Sequence, residues 1–274
     1  MKQISTSICI GLGDNIIARM IFDTVKHEYD EIKISHDAGV IREYKNGDAA
    51  YMAFLQEIGN LLFTEPPFSF STQQYKPIIT LNTIQNFSPI VKPNLQYLLC
   101  KGSPLNIDEE YICITTKVRM IPKKLFLPLS PLLWKVLKRL SNKYKIVIMG
   151  ERSLNEGIAY RRALPENVVY GIYDQIMVNL PAHRIIDLTV PSLGIVAPNL
   201  VKIQQDGLIM KNAKCVIALG DGGNLWHAVA TADKVLNYRD DADIPADLIL
   251  YPNFTHVKSF NRNWNGFTSE LEKL

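Results

Sequence analysis

A glycine-rich turn followed by a histidine is the strongest chemical signal in this sequence. The turn GDGGN, residues 220–224, follows the apolar run Cys215–Leu219 and precedes a helical pattern that carries His227 in its first turn. Glycines let a backbone approach a ligand closely, and the free N–H groups at a helix start favour an anion. His227 could donate a hydrogen bond to that anion or act on the bond beside it. A tight turn without chemistry is the alternative, because short glycine motifs often match by chance.

A second glycine turn, near the N-terminus, offers a candidate general base. The turn GLGD, residues 11–14, follows a short apolar run and precedes apolar residues at helical spacing. Asp14 is therefore expected where a strand ends, and a carboxylate placed there could take a proton from an attacking group. Alternatively, Asp14 or Asn15 only caps the helix that comes next.

Both turns lie among strands that alternate with helices. Short apolar runs bounded by turn residues predict strands, and apolar residues three and four apart predict helices. The predicted strands are 7–10, 31–35, 77–81, 111–115, 144–149, 215–219 and 235–236, and the predicted helices include 49–63, 132–140, 200–210 and 225–232. This alternation is typical of an α/β fold with helices on both faces of a parallel sheet. Such sheets bind ligands at the carboxyl ends of their strands, where both glycine turns are expected.

Composition excludes several classes of protein. The chain has 274 residues, of which 47% are hydrophobic and 21% charged, and this balance is that of an ordinary globular protein rather than a disordered one. A net charge of +3 does not demand nucleic acid as a partner. No apolar run approaches the ~18 residues of a spanning helix, and the opening residues lack a signal-peptide core, so we expect a cytoplasmic protein. The scattered cysteines, Cys9, Cys100, Cys113 and Cys215, form no metal-type pairs and are expected as mostly buried thiols.

Four motifs, in order along the chain, resemble those of the heptosyltransferase-type glycosyltransferases. They are GLGD at 11–14, TTK at 115–117, KIVIMGERSLNE at 145–156 and DGGNLWHA at 221–228. The last motif has one residue more before its histidine than the family pattern, so either Asp221 or Gly222 could take the place of the family's aspartate. Asp233 and Lys234 stand where the family usually has a proline, and the first domain is short.

The resemblance implies an α/β fold of GT-B type, with two facing Rossmann-like domains, parallel sheets and an interdomain cleft. We expect a small N-terminal acceptor domain at 1–103 and a nucleotide-sugar donor domain at 104–255. A C-terminal segment, 256–274, is expected to cross back to the N-terminal domain. The implied activity is transfer of a sugar from a nucleotide-diphosphate sugar to an acceptor hydroxyl, with inversion at the sugar and without a metal ion or other cofactor.

The resemblance also assigns roles to individual residues. Asp14 would be the catalytic base, and His227 would act at the sugar or the phosphates of the donor. Glu151 would accept hydrogen bonds from the donor ribose, with Glu156 as the alternative. The implied donor-binding residues are Thr115, Thr116, Lys117, Arg119, Gly150, Glu151, Asp221, Gly222, Gly223 and Asn224, and the implied acceptor-binding residues are Gly13 and Asn15.

The functional hypotheses differ in the molecule that would accept the sugar. The family favours a saccharide or glycan, but phage enzymes of similar architecture glycosylate modified DNA bases, and basic residues between 123 and 145 leave that alternative open. A solvent-exposed helix face is the simpler interpretation of those charges. A third hypothesis is a nucleotide-binding protein without transfer activity; the turn at 11–14 lacks the full GxGxxG spacing, which argues against NAD.

Other candidate side chains have simpler explanations. His36, His183 and His256 match no motif and are expected at the surface or as hydrogen-bonded core residues. Trp134 and Trp226 are expected to pack, whereas Trp264 could line the cleft.

Overall fold

The chain folds into two parallel β-sheets with helices packed against them. The computed structural model describes residues 2–8, 12–37, 49–76, 107–116, 130–150, 172–189, 200–219, 223–239 and 254–274. The strands are β1 Gln3–Ile8, β2 Glu31–His36, β3 Phe68–Phe70, β4 Tyr111–Thr115, β5 Lys145–Met149, β6 Ile185–Asp187, β7 Cys215–Leu219, β8 Val235–Arg239 and β9 Val257–Asn261. The helices are α1 Leu12–Val25, α2 Ala49–Leu62, α3 Pro131–Leu140, α4 Ile172–Asn179, α5 Leu200–Asn212, α6 Gly223–Thr231 and α7 Trp264–Leu271. Single 3-10 turns follow α1 and precede β6.

The first sheet has three parallel strands in the order β1-β2-β3. Ile8 is aligned with His36, and Ile34 with Phe70. Because side chains alternate along a strand, these residues share the face on which α1 and α2 pack. Burial of apolar side chains on this face stabilises the unit.

The second sheet has six parallel strands in the order β6-β5-β4-β7-β8-β9. When the six strands of this sheet are numbered 1 to 6 in chain order, they lie side by side in the order 3-2-1-4-5-6, which is the order of a doubly wound sheet. The direction of winding reverses between β4 and β7, and ligands of such sheets bind outside the carboxyl ends of strands at that reversal. A ligand of this sheet is therefore expected beyond Thr115 and Leu219, the last residues of β4 and β7.

Helices cover both faces of the second sheet. Cys113 and Val216 face one apolar core with residues of α5 and α6, whereas Ile112 and Cys215 face another with residues of α3, α4 and α7. Strands buried on two faces read as unbroken apolar runs, which explains the pattern of β7 in the sequence. The expectation of buried thiols is confirmed for Cys113 and Cys215, both free, and burial raises the pKa of each. Cys9 and Cys100 lie outside the described residues.

Helix α1 of the first sheet packs against α6 of the second. Ile16 and Ile17 of α1 belong to the same apolar core as Ala228 and Val229 of α6. This helix pair ties the two sheets together, and it joins the two helices that begin near the glycine turns of the sequence.

The C-terminal residues differ from the prediction that 256–274 cross back to the first domain. Strand β9 instead extends the second sheet beside β8, and α7 packs on α3, β8 and β9. The Trp264 ring stacks on Tyr238 at 3.5 Å between centroids, so this tryptophan packs in the second unit. The carbonyl oxygen of Leu274 accepts a hydrogen bond from the Tyr144 hydroxyl at 2.6 Å. Fully buried Phe267 and Leu271 supply the apolar surface that favours this arrangement.

Other elements also differ from the sequence prediction. Residues 172–179 form α4 and Phe68–Phe70 forms the short strand β3, and neither element is among those predicted from the sequence. The predicted strand at 77–81 lies outside the described residues, as does the expected domain boundary at 103–104. None of the described helices is long and apolar enough to cross a membrane.

Candidate functional site

The carboxyl ends of β5, β4 and β7 lie side by side at the reversal of the second sheet. Thr115 is aligned with Met149 on one side and with Ala218 on the other. Parallel strands in register bring the residues after their last positions to one edge. The structure thus brings Thr115, Thr116, Gly150 and the start of α6 to the same edge of the sheet.

Thr116 is held firmly at this edge. Its amide N–H donates to the Met149 carbonyl oxygen at 2.8 Å, and its hydroxyl donates to the same oxygen at 3.1 Å. Its side chain is 3% exposed. The next residue of the neighbouring strand, Gly150, has a φ of 111°, a left-handed conformation that glycine adopts without a Cβ clash.

Helix α6 begins at Gly223, two residues earlier than the sequence pattern indicated. Its first backbone N–H groups have no partner within the helix, so they can bind an anion at this end. Because the helix starts early, His227 is its fifth residue and lies in the second turn rather than the first.

His227 is buried with one ring nitrogen unbonded. Its side chain is 2% exposed, and within the described part of the chain its Nε2 has no hydrogen-bond partner. Burial lowers the pKa of His227 to about 4, and the Lys202 ammonium acts in the same direction. The ring is therefore neutral near neutral pH. Buried polar atoms are almost always bonded, so this unbonded nitrogen in the second turn of α6 is a candidate to contact a ligand.

Lys202 and Asp206 on α5 form an ion pair that faces this region. Helix α5 packs against α6, which explains the electrostatic effect of Lys202 on His227. The Lys202 ammonium binds the Asp206 carboxylate one helical turn away. Burial raises the pKa of Asp206, and Lys202 opposes that rise. Lys202 belongs to none of the four motifs, and the only local signal of this pair in the sequence is the four-residue spacing between Lys202 and Asp206.

Asp14 lies on the first sheet's side of the helix pair. It is the third residue of α1 and is partly exposed. Because α1 already begins at Leu12, neither Asp14 nor Asn15 occupies the cap position of this helix. A carboxylate in the first turn of a helix interacts favourably with the helix dipole, and Asp14 occupies such a position.

Gly13 and Asn15 are both buried. The Asn15 side chain is 0% exposed, and its Oδ1 lies 3.1 Å from Nε2 of His36. His36 is thus a hydrogen-bonded core histidine, one of the two states expected for it. His183 is exposed, and His256 bonds to the Val229 carbonyl oxygen at 2.9 Å, as also expected.

Several predicted site residues lie outside the described part of the chain. They are Lys117, Arg119, Glu151, Glu156, Asp221 and Gly222, together with the side chain of Asn224. Their roles stay predictions. Trp134 and Trp226 pack against the cores, as expected.

Within the described ranges, no three histidine, cysteine or acidic side chains come together as metal ligands. Several acidic groups form ion pairs instead; for example, Glu109 binds Arg184 at 2.7 Å, and this contact lowers the pKa of Glu109.

The chain is similar in structure to solved glycosyltransferases. Against ADP-heptose LPS heptosyltransferase II of E. coli, the TM-score is 0.48 and the identity 13%, over 95% of this chain and 90% of that chain. Against the glycosyl transferase family 9 protein of Veillonella parvula DSM 2008, the values are 0.48 and 10%, over 95% and 86%. Against E. coli heptosyltransferase WaaC with ADP, they are 0.45 and 10%, over 95% and 93%.

The sequence matches no protein-family model and no curated protein. At the TM-scores found, structural similarity does not assign an activity, so the functional assignment depends on the residues of the site.

Proposed function

We propose that this protein is a heptosyltransferase-like glycosyltransferase that moves a sugar from a nucleotide-diphosphate sugar to an acceptor hydroxyl. The observation that carries the proposal is the orphaned Nε2 of His227, buried in a helix that begins at the reversal of a doubly wound sheet. The four sequence motifs support the same activity. In this proposal residues 1–103 form the acceptor domain of a GT-B fold, and the donor domain extends from 104 through α7.

The donor diphosphate would bind at the start of α6. Backbone N–H groups of this helix and the N–H of neutral His227 are uncharged donors, and they would hold the charge that develops on the leaving group. Thr115, Thr116 and Gly150 line the same edge of the sheet. The proposal adds Lys117, Arg119 and Asp221 on the phosphates and sugar, and Glu151 on the ribose, from the sequence motifs.

Asp14 would act as the general base. Its carboxylate takes the proton of the acceptor hydroxyl while the acceptor oxygen forms a bond to the anomeric carbon. The bond from that carbon to the diphosphate breaks, and a nucleoside diphosphate leaves with its electron pair. A single displacement of this kind inverts the anomeric centre. Holding both substrates between the two sheets would supply much of the rate, because orientation replaces a random encounter. This displacement needs no metal ion.

Two of the basic residues on and beside α3 form ion pairs with acidic side chains, which favours a glycan acceptor over DNA. Arg139 is paired with Glu272 at 2.9 Å and Lys145 with Glu109 at 3.4 Å. Helix α3 also covers the face of the second sheet opposite to α5 and α6. DNA binding depends on unneutralised positive charge near the bound duplex, and these pairs reduce it.

The direct test is a panel of ADP-, GDP- and UDP-sugars with oligosaccharide acceptors and with a hydroxymethylated DNA duplex. Released nucleoside diphosphate and product mass are read by mass spectrometry. We expect release that depends on a saccharide acceptor and is inverting by NMR. Binding of NAD without binding of any nucleoside diphosphate would reject the transferase, and salt-sensitive transfer to DNA alone would replace the glycan acceptor.

A further inference from the structure

The start of α1 is fastened to the end of β2 by two buried polar side chains. Asn15 and His36 are 0% and 6% exposed, and their Oδ1 and Nε2 atoms lie 3.1 Å apart. His36 is aligned across the sheet with Ile8, the last residue of β1. The Asp37 amide N–H also donates to the Ile8 carbonyl oxygen, at 2.9 Å. The two contacts therefore tie the end of β2 to the first turn of α1 and to the last residue of β1.

His36 occupies a position that an apolar residue would be expected to fill. Ile32 and Ile34 precede it on the same face of β2, and both are fully buried. The ring packs edge-on against Phe70, with centroids 4.9 Å apart. Apolar residues at both positions 15 and 36 would avoid the cost of desolvating a ring nitrogen and a carboxamide, so stability alone does not require this polar pair. In some proteins a buried polar pair fixes one geometry instead of adding stability.

We propose that His36, acting through Asn15, is a positioning residue that orients the first turn of α1 and thereby aims the Asp14 carboxylate at the acceptor hydroxyl. The inference rests on the proposed function of Asp14 as the base. Asp14 and Asn15 are consecutive residues of one helical turn, so holding the Asn15 side chain fixes the rotation of that turn about its axis. The base oxygen must come within about 2.6–3.2 Å of the hydroxyl oxygen whose proton it takes, and a misplacement of about 1 Å can cost about 100-fold in rate.

The protonation state of His36 fits this role. Burial lowers the pKa of His36 to about 4, so the ring is neutral near neutral pH. Because the Asn15 carboxamide oxygen can only accept, the neutral ring carries its proton on Nε2. A positive charge close to Asp14 would stabilise the carboxylate and weaken it as a base. Neutral His36 can donate to Asn15 and hold the helix without weakening Asp14 as a base.

The test compares two substitutions of His36. His36→Leu keeps most of the volume and removes the donor, whereas His36→Gln restores an N–H donor to Asn15. We expect kcat to fall about 10- to 100-fold in His36→Leu, with the Kd for nucleoside diphosphate within about twofold of wild type, and His36→Gln to recover most of the loss. The matched control is Ser35→Ala, which removes a buried hydrogen bond to Ser7 on the opposite face of the same strand and should leave kcat unchanged.

A double-mutant cycle decides whether His36 acts through Asp14. In an Asp14→Asn background, His36→Leu should lower the residual kcat no further. A wild-type kcat in His36→Leu, an undiminished loss in the Asp14→Asn background, or an equal loss in Ser35→Ala would overturn the positioning role while leaving Asp14 as the base.

Full activity of Asp14→Asn, or no nucleotide release by the wild-type protein with any donor and acceptor, would remove the proposed function and this inference together. Should His36→Leu fail to show a cooperative thermal transition, His36→Asn, whose shorter side chain falls short of Asn15, takes its place against His36→Gln.

Discussion

Thr116 donates two hydrogen bonds to the carbonyl oxygen of Met149, one from its amide at 2.8 Å and one from its hydroxyl at 3.1 Å. The pair fastens the end of β4 to the end of β5 at the proposed diphosphate site. Since the amide bond remains when the hydroxyl is removed, Thr116→Val tests the hydroxyl alone.

We expect Thr116→Val to lower the free energy of unfolding by about 1 kcal/mol, the usual net value of one buried hydrogen bond. The affinity for nucleoside diphosphate should also fall several-fold, because the strand end is less firmly held. Urea denaturation and calorimetric titration measure the two effects. Thr268→Val is the matched control: it removes a hydroxyl bond of 2.8 Å to the Trp264 carbonyl oxygen in α7, and should change stability without changing affinity.

Asp14→Asn should abolish most transfer while keeping the fold. An amide cannot accept the acceptor's proton, so kcat should fall by about 10²- to 10⁴-fold, the usual contribution of a positioned base. The Kd for nucleoside diphosphate should be unchanged. Asp174→Asn provides a comparison, since Asp174 is also an acid in the first turn of a helix but lies on α4. A similar kcat loss in Asp174→Asn would mean that the effect is one of helix stability rather than of catalysis.

His227→Leu should weaken the binding of nucleoside diphosphate and stabilise the ligand-free protein. Removing a buried nitrogen that lacks a partner relieves a desolvation cost of about 1–3 kcal/mol, so the ligand-free protein should unfold at a higher temperature. The same change removes a donor to the diphosphate, and affinity for nucleoside diphosphate should fall about tenfold or more. Thermal unfolding with and without nucleotide measures both quantities.

His256→Leu is the contrasting variant, because His256 Nε2 is already bonded to the Val229 carbonyl oxygen. It should lower the unfolding temperature and leave nucleotide affinity intact. A lower unfolding temperature in His227→Leu as well would show that Nε2 has a partner within the folded chain and would withdraw the ligand interpretation.

Two buried histidines should make the protein less stable in mild acid. The pKa values of His36 and His227 are lowered from 6.5 to about 4, so the unfolded chain takes up protons in this interval before the folded one does. The free energy of unfolding should therefore fall as pH drops from about 6.5 towards about 4, by roughly 3 kcal/mol for each histidine. Above about pH 6.5 both histidines are neutral in the folded and in the unfolded chain, so neither makes the free energy of unfolding depend on pH.

Urea denaturation between these pH values measures the slope. His227→Leu should remove about half of it, because only His36 then remains to bind a proton on unfolding. A slope that is unchanged in this variant would assign the acid sensitivity to other groups.

Local sequence patterns were enough to locate the two glycine turns and to predict the class of fold. The unbroken apolar run Cys215–Leu219 predicted a strand buried on both faces, and the glycines after it predicted a helix start able to bind an anion. The strand and the helix are found in the structure because burial and turn geometry act on residues within a few positions of one another. The structure confirmed an α/β architecture with parallel sheets, and with it the helix that carries His227.

Only the tertiary structure decided which distant residues meet. Nothing local in Val257–Asn261 shows that this strand extends the second sheet, since strand order depends on contacts between segments far apart in sequence. The bond between Asn15 and His36 joins residues 21 positions apart, and the orphaned Nε2 of His227 results from the packing around it. Sequence alone determined which groups are present and how most short segments fold, because those choices depend on neighbouring residues. Long-range packing determined which of the groups are buried, paired or left to bind a ligand.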